Sequence, residues 1–307
     1  MDDQGIENSV PVCDGSDVVD GCLASFMERY TGVAPPSIST GIASIDRAII
    51  GLRGGKMYVI AGRPGMGKTA IADSIRRSVV EQGYVVCEFS LEMASDEIGE
   101  RELSFQARVN SRKVASGKEV TETELQRLQG AIGSVPRGLW WLYDSCFSMA
   151  AIVDKARQAK VRADAEGKRI GLIIIDYLQL LNDSGSENRQ QSISACSRMT
   201  KLLSRELNCA IFALSQLNRG CEYREDKRPM MADIRESGSI EQDADLIGFV
   251  YREHQYDKSV DPSETEFIIR KQRSGPTGTV RIRFNPSTVH FDDFPETSAA
   301  TPLKETE

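Results

Sequence analysis

The stretch Gly62-Arg63-Pro64-Gly65-Met66-Gly67-Lys68-Thr69 fits the phosphate-loop pattern G-x-x-x-x-G-K-[ST] at every required position. Just before it, Lys56-Met57-Tyr58-Val59-Ile60-Ala61 is an apolar run with the length and β-branched content of a buried strand. Just after it, Ala70 to Gln82 reads as a helix with Ile71, Ile75 and Val79 on one face. Strand, loop and helix together make an anion cradle. The glycines let backbone N–H groups turn inward, and the helix N-terminus adds the positive end of its dipole. Lys68 is placed to reach the β- and γ-phosphates of a nucleoside triphosphate, and the Thr69 hydroxyl to hold Mg²⁺. The whole stretch, from Gly62 through Arg63, Pro64, Gly65, Met66 and Gly67 to Thr69, is expected to bind nucleotide.

Composition narrows the setting. At 307 residues and 40% hydrophobic, the chain has enough apolar residues for one large core or two ordinary ones. No segment has the apolar length of a membrane span, and Met1-Asp2-Asp3-Gln4 lacks the opening of a signal peptide. Seven cysteines without a C-x-x-C pair, and only His254 and His290, argue against a disulfide framework or a zinc site. A reducing, cytoplasmic setting is expected. The net charge of −7 is unevenly spread. Residues 1–35 hold seven acidic residues against one basic, and residues 292–307 five against one. That leaves 33 acidic and 36 basic residues between Pro36 and Phe291, a balance that permits a nucleic-acid partner without demanding one.

Outward from the loop, Ser16 to Tyr30 spaces Val18/Val19, Cys22/Leu23 and Phe26/Met27 as a helix, capped by Ser16 or Asp17. Its apolar stripe packs either on its own domain or on a neighbouring subunit. Ala34-Pro35-Pro36 then reads as a linker. Downstream, Tyr84 to Ser90 is a second buried strand leading into Leu91-Glu92-Met93. A carboxylate just past a central strand stands where ligands of open α/β sheets bind, so Glu92 either activates water or is a capping or solvated glutamate. Helices are expected over Ala94 to Ala107, Thr121 to Gly133 and Met149 to Glu166, with a strand over Leu139 to Tyr143 whose Trp140 and Trp141 are either base-stacking platforms or, as is commoner for aromatics in such a run, core. Leu172-Ile173-Ile174-Ile175 is a wholly apolar strand ending in Asp176, the position for a carboxylate that orients Mg²⁺.

Asn182 to Gln191 reads as a polar loop, Ser192 to Leu207 as a helix, and Cys209 to Leu214 as a strand delivering Ser215-Gln216 to the same sheet edge. Leu217 to Ser239 is polar and mixed in charge, with Arg219, Arg224, Lys227, Arg228 and Arg235. It is either a nucleic-acid contact surface or a solvated loop. Strands over Asp245 to Tyr251, Thr265 to Gln272, Thr279 to Phe284 and Val289 to Asp292 complete the pattern. The prediction is an α/β fold, with a mostly parallel central sheet, helices on both faces and antiparallel strands at the C-terminal end. The domain plan is a disordered acidic tail over 1–15, a linker helix and Pro-rich linker over 16–36, one folded domain over 37–294, and a disordered tail over 295–307.

Several stretches recur here in one order: Ala61 to Thr69, Phe89-Ser90-Leu91-Glu92-Met93, Ile174-Ile175-Asp176-Tyr177-Leu178-Gln179-Leu180, and Ala213-Leu214-Ser215-Gln216-Leu217-Asn218-Arg219. Arg235-Glu236-Ser237-Gly238-Ser239-Ile240-Glu241-Gln242-Asp243-Ala244-Asp245 and Lys271-Gln272-Arg273-Ser274-Gly275-Pro276 follow. By this set, Thr40 to Phe291 resembles the RecA-like C-terminal motor domain of DnaB-type replicative DNA helicases, a P-loop NTPase fold. The resemblance implies ATP and Mg²⁺ as cofactors, with Lys68 and Thr69 on the phosphates and metal and Asp176 on the metal side. It implies Glu92 as catalytic base and Gln216 as γ-phosphate sensor. Lys271 and Arg273 would reach into the neighbouring subunit's ATP site, and Arg101 would be an interface arginine. Arg235, Glu236 and Gly238 match a loop that holds the backbone of single-stranded DNA, Glu236 through its N–H because a carboxylate would repel phosphate.

The activity implied is an ATP-dependent, hexameric 5′ to 3′ helicase of replication, in a bacterium or encoded by a phage or plasmid. Its partners would be single-stranded DNA, further copies of itself and a loader or primase, with no membrane. The resemblance tilts the Ser16–Tyr30 helix toward docking on an adjacent subunit. Family members usually carry a helical N-terminal collar, which the roughly 35 residues before the motor do not accommodate. The competing expectation is a RecA-like, single-stranded-DNA-dependent ATPase that remodels strands, or a loading factor, without unwinding.

Overall fold

Strand β1 (Met57–Gly62) is buried at all six positions because both faces of the sheet are covered. Met57, Val59 and Ala61 point to one face and Tyr58 and Ile60 to the other. The computed structural model describes residues 14–33, 37–176, 189–234 and 237–294. The chain falls into two units, one ending at Ser37 and the other starting at Ile38.

The first unit holds α1 (Gly15–Tyr30), which has no buried residue. Its cap is Asp14, whose carboxylate accepts the Ser16 N–H at 2.8 Å, so the helix starts a residue or two earlier than expected. Val18, Val19, Leu23, Phe26, Met27 and Tyr30 are all exposed along it.

The second unit is built on a nine-stranded sheet. After β1 come β2 (Val85–Ser90), β3 (Trp140–Tyr143), β4 (Ile170–Asp176), β5 (Ala210–Gln216) and β6 (Leu246–Tyr251). Three more follow, β7 (Glu264–Gln272), β8 (Gly278–Asn285) and β9 (His290–Asp292). Their order is β3-β2-β4-β5-β1-β6-β7-β8-β9. From β3 to β6 every pairing is parallel, and from β6 to β9 every pairing is antiparallel. This is the expected mostly parallel sheet with antiparallel strands at its C-terminal end.

One face is covered by α7 (Met149–Ala165) and α8 (Arg189–Glu206), which bury Ile152, Ala156, Ile193 and Leu203. The other carries α3 (Lys68–Glu81) and α2 (Ala43–Ile49), which bury Ile71, Ile75, Val79 and Ile45. Between β2 and β3 in sequence lie α4 (Ser95–Ala107), α5 (Ser111–Ser116) and α6 (Glu122–Gly130). The helix expected from Ser192 starts at Arg189. Three helices escaped the reading, α2, α5 and α9 (Ser237–Asp243), because six or seven residues are too few to display a 3.6-residue repeat. Residues 1–13 and 295–307 of the expected tails, residues 34–36 of the Pro-rich linker, and residues 177–188, which include 182–188 of the expected loop, lie outside the described residues.

Between α3, α4, β2 and β3 lies a buried charge cluster. The Arg76 guanidinium donates to Glu102 at 2.7 Å and Asp73 at 3.4 Å, stands 3.3 Å from Glu88, and lies 3.7 Å over the Trp140 ring. Arg77 donates to Glu102 at 2.8 Å, and Trp140 Nε1–H donates to Glu88 at 2.9 Å. Both tryptophans thus serve the core; Trp141 lies beneath Arg162. Three carboxyls face two guanidiniums, one negative charge too many for a dry site. Burial pushes the Glu88 carboxyl up to about 7, whereas Arg76 and Arg77 hold Glu102 down to about 2 against the opposing effect of burial. A carboxyl raised in the fold contributes stability below its ordinary value near 4.5 and loses it as pH climbs through about 7. Glu88→Gln keeps an acceptor and removes that titration. The variant should match wild type at pH 5 and exceed it at pH 8 by about 1–3 kcal/mol in thermal or urea unfolding. An equal pH dependence in the two proteins would refute this assignment.

Candidate active site

Parallel pairing brings the carboxyl ends of the strands to one edge. Gly62 of β1 lies beside Gln216 of β5, and Ser90 of β2 beside Asp176 of β4. The phosphate loop turns out of β1 with Gly65 at φ 79° and Gly67 at φ 100°, left-handed values that suit glycine. A Cβ on Gly67 would also stand 2.9 Å from the Phe291 ring, which closes this side of the loop. Lys68 and Thr69 open α3. The loop is therefore a strand-to-helix turn with its N–H groups at a 14-residue helix N-terminus.

Thr69 Oγ1 donates to Asp176 Oδ2 at 2.7 Å, while Asp176 Oδ1 is buried and makes no hydrogen bond among the described residues. Burial raises the Asp176 carboxyl to about 6, and the nearby Glu92 charge adds to the rise. A dry carboxylate with an unused oxygen beside a threonine hydroxyl fits a divalent cation. Among the described residues no group of three or more His, Cys, Asp or Glu is placed to hold a metal ion, so the protein would offer few ligands. That suits Mg²⁺, which keeps waters and takes phosphate oxygens. Burial pulls the Lys68 ammonium down, opposed by Asp176 and Glu92 and reinforced by the Arg63 guanidinium. Glu92 is exposed two residues beyond the Ser90–Asp176 pair, within electrostatic reach of both Lys68 and Asp176. Lys68, Thr69, Asp176, Glu92 and Gln216 are thus gathered at one edge.

Two braces of the loop had no counterpart in the sequence reading. The Arg63 side chain turns away from the cradle, its Nε donating to Glu222 at 2.8 Å and its Nη1 to the Leu217 carbonyl at 2.8 Å. Arg252, just past β6, is buried under Phe284 and donates to the Gly65 carbonyl at 3.4 Å and the Pro262 carbonyl at 3.1 Å. An arginine ending a wholly buried strand was the available clue.

Lys271 and Arg273 stand elsewhere. β7 runs against β6, and Gln272, Leu246 and Tyr58 form one row at the start of β1. That end is about 15 Å from the Gly62 end at ~3.3 Å per residue. Here Lys271 Nζ donates to the carbonyls of Glu241 and, at 2.8 Å, Ala244, and Arg273 Nη2 donates to the Gln242 carbonyl at 2.5 Å. Both cations cap the carboxyl end of α9. Arg101, on α4, is half-buried and has no side-chain partner among the described residues.

In the polar segment after Gln216, most of the cations are already paired. Arg224 forms a fork with Asp233 at 2.8 and 2.7 Å, Arg228 another with Glu266 at 2.8 and 2.6 Å, and Lys227 donates to the Arg224 carbonyl at 3.3 Å. Arg219 is exposed and has no side-chain partner among the described residues. Arg235 and Glu236 lie outside the described residues, and Gly238, in the first turn of α9, faces open space.

No described helix is long and apolar enough to cross a membrane. A family model described as the DnaB-like helicase C terminal domain matches residues 37–293. The replicative DNA helicase DnaC of Bacillus subtilis is 41% identical over 251 residues, 80% of this chain and 54% of the relative. The replicative DNA helicase DnaB of Haemophilus influenzae is 37% identical over 277 residues, 89% of this chain and 58% of the relative. The chain thus spans about half the length of these relatives. Among solved structures, one described as an ATPase domain superposes with a TM-score of 0.83 at 36% identity, covering 92% of this chain and all of that one. A DnaB-like replicative helicase, described with its interactions with primase, gives 0.82 at 35%, covering 92% and 68%. The mostly parallel sheet, the phosphate loop and these matches agree: the chain belongs to the DnaB-like helicase C-terminal domain family.

Proposed function

We propose that this chain is the ATP-hydrolysing motor of a ring-forming replicative DNA helicase that translocates 5′ to 3′ on single-stranded DNA. The observation that carries the reading is the placement of Lys271 and Arg273 at the sheet edge opposite the chain's own phosphate loop. From there they reach a phosphate only if a second copy presents its loop. A head-to-tail contact of that kind closes into a ring, here a homo-hexamer. The solvent-facing stripe of α1, with Leu23, Phe26 and Met27, is a second surface for an adjacent copy.

In this reading the backbone N–H groups of Gly65 to Thr69 would hold the β- and γ-phosphates of ATP together with the Lys68 ammonium. Asp176 and Thr69 hold Mg²⁺, which when bound offsets phosphate charge. Glu92, exposed at the pocket mouth, accepts the proton of the attacking water, and Gln216, beside Gly62, senses the γ-phosphate. Arg273 and Lys271 stabilise transition-state charge in the neighbouring pocket. Arg235, Glu236 and Gly238 grip the DNA backbone without reading sequence. The bacterial relatives point to a cytoplasmic setting, and a loader or primase is a further partner of the same reading.

The test is unwinding of forked duplexes with ATP and Mg²⁺. Opening from a 5′ tail alone is expected; opening only from a 3′ tail refutes the polarity. Hydrolysis stimulated by single strands without opening from either tail favours strand remodelling or loading instead.

Lys68→Ala should reduce hydrolysis at least about 100-fold. Wild-type turnover in that variant would remove the phosphate-loop assignment. Arg273→Ala should lower hydrolysis by about 10³-fold or more while nucleotide binding, read by a fluorescent analogue, is retained. Mixed one to one, the two inactive proteins should regain about a quarter of wild-type turnover, because about a quarter of head-to-tail interfaces pair an intact pocket with an intact Arg273. Silence of the mixture would count against action across the interface.

A further inference from the structure

Arg63 occupies the first variable position of the phosphate loop, yet its side chain leaves the cradle and is only 10% exposed. It bonds at 2.8 Å to Glu222 and at 2.8 Å to the carbonyl of Leu217, residues some 150 positions away. Leu217 follows the sensor Gln216 directly. It also forms an isolated antiparallel bridge with Ile234, the residue before Arg235. Alongside, Asn218 N–H donates to the Asp233 carbonyl at 2.8 Å, and Asp233 is held by the Arg224 fork. The segment from Leu217 to Ile234 is therefore a loop latched shut at its ends, with one end bonded to the phosphate loop. The direct backbone link there is weak: Leu217 N–H reaches the Gly62 carbonyl only at 3.4 Å. Beyond the β1–β5 pairing, which ends at Gly62 and Gln216, Arg63 supplies two further bonds to this segment.

We propose that Arg63 is a positioning residue. Its guanidinium, held by Glu222 and the Leu217 carbonyl, makes the phosphate loop and the segment leading into Arg235 move as one body. Nucleotide occupancy would thereby set the grip on single-stranded DNA. This rests on the motor reading above. An exposed Arg–Glu pair would count for little, but this one is nearly closed to solvent at the arginine and anchored by a second bond to main chain. The Arg63 guanidinium is also within electrostatic reach of the Lys68 ammonium, which it helps to pull down after burial. Any occupancy-linked change at Arg63 is passed through its hydrogen bonds to Glu222 and the Leu217 carbonyl, and from Leu217 across the bridge to Ile234.

The test varies Glu222, which lies outside the phosphate cradle. Affinity for a fluorescent oligo-dT is measured with a non-hydrolysable ATP analogue and with ADP, alongside hydrolysis without DNA and the melting temperature. Glu222→Ala should keep DNA-free hydrolysis within about twofold, while the ratio of the two DNA affinities falls toward unity by at least about fivefold. Glu222→Gln, which keeps an acceptor but not the charge, should fall between. A wild-type ratio in Glu222→Ala overturns the latch and leaves the motor reading standing. Loss of DNA-free hydrolysis in a variant that melts like wild type assigns Glu222 to the chemistry and also overturns it. Wild-type protein whose oligo-dT affinity ignores nucleotide sinks the latch, and absence of any oligo-dT binding sinks the motor reading with it.

Discussion

The parallel pairing of β1 with both β5 and β6 is the constraint from which the site follows. Parallel strands end at the same edge, so Gly62, Ser90, Asp176 and Gln216 arrive together without any one of them having to find another. The first antiparallel strand, β7, then reverses direction and carries Lys271 and Arg273 to the opposite edge. The reversal between β6 and β7 therefore separates the phosphate-loop edge from Lys271 and Arg273 by about the length of a strand. In the head-to-tail ring proposed above, that separation would make each pocket depend on its neighbour.

Asp245 fixes the strand at its other end. Its carboxylate accepts the Met57 N–H at 2.9 Å and the Lys201 ammonium at 2.5 Å, and Lys56 stands 3.4 Å away. These partners hold the carboxyl below its ordinary value although burial alone would raise it. The backbone N–H of Arg273 donates to the Asp245 carbonyl at 2.9 Å. The start of the phosphate-loop strand and the root of the Lys271/Arg273 pair thus share one anchor. The chain between Leu217 and Asp245 is held in front by Arg63 and behind by Lys271 and Arg273 on the carbonyls of α9. If those cations turn to a neighbouring phosphate, α9 loses its C-terminal caps. The chain carrying Arg235 and Glu236 would then sense two pockets rather than one.

The parts that sequence made legible are those with local signatures. The phosphate loop, the apolar strand ending at Asp176 and the βα alternation each span a few to a few dozen residues, and the parallel sheet follows from them. Lys68, Thr69, Asp176 and Gln216 could be placed at one edge because each sits at the end of a strand or the start of a helix. The contacts of Arg63 could not be read, since Glu222 and Leu217 are more than 150 residues distant and an Arg in a polar loop looks solvated. The segment after Gln216, mixed in charge, reads as either a nucleic-acid contact surface or a solvated loop for the same reason. Pairing of Arg224 with Asp233 and of Arg228 with Glu266 neutralises much of it. Lys271 and Arg273 read as solvated charge on composition, and only antiparallel pairing and the family resemblance gave their position meaning.

The charge cluster around Arg76 bears on the same site from behind. Replacing such a cluster with apolar side chains is often neutral or stabilising, so stability alone does not account for it. Its geometry joins α3, which starts at Lys68, to β2, which ends two residues before Glu92, and to α4, which begins three residues after it. Apolar packing tolerates sliding of one element along another, whereas an Arg76 bonded to both Asp73 and Glu102 and lying flat on Trp140 has one register. Glu92 itself is exposed in the turn between β2 and α4. The elements on either side of it are fixed in register, and that confines the arc a carboxylate in this strand-to-helix turn can sweep.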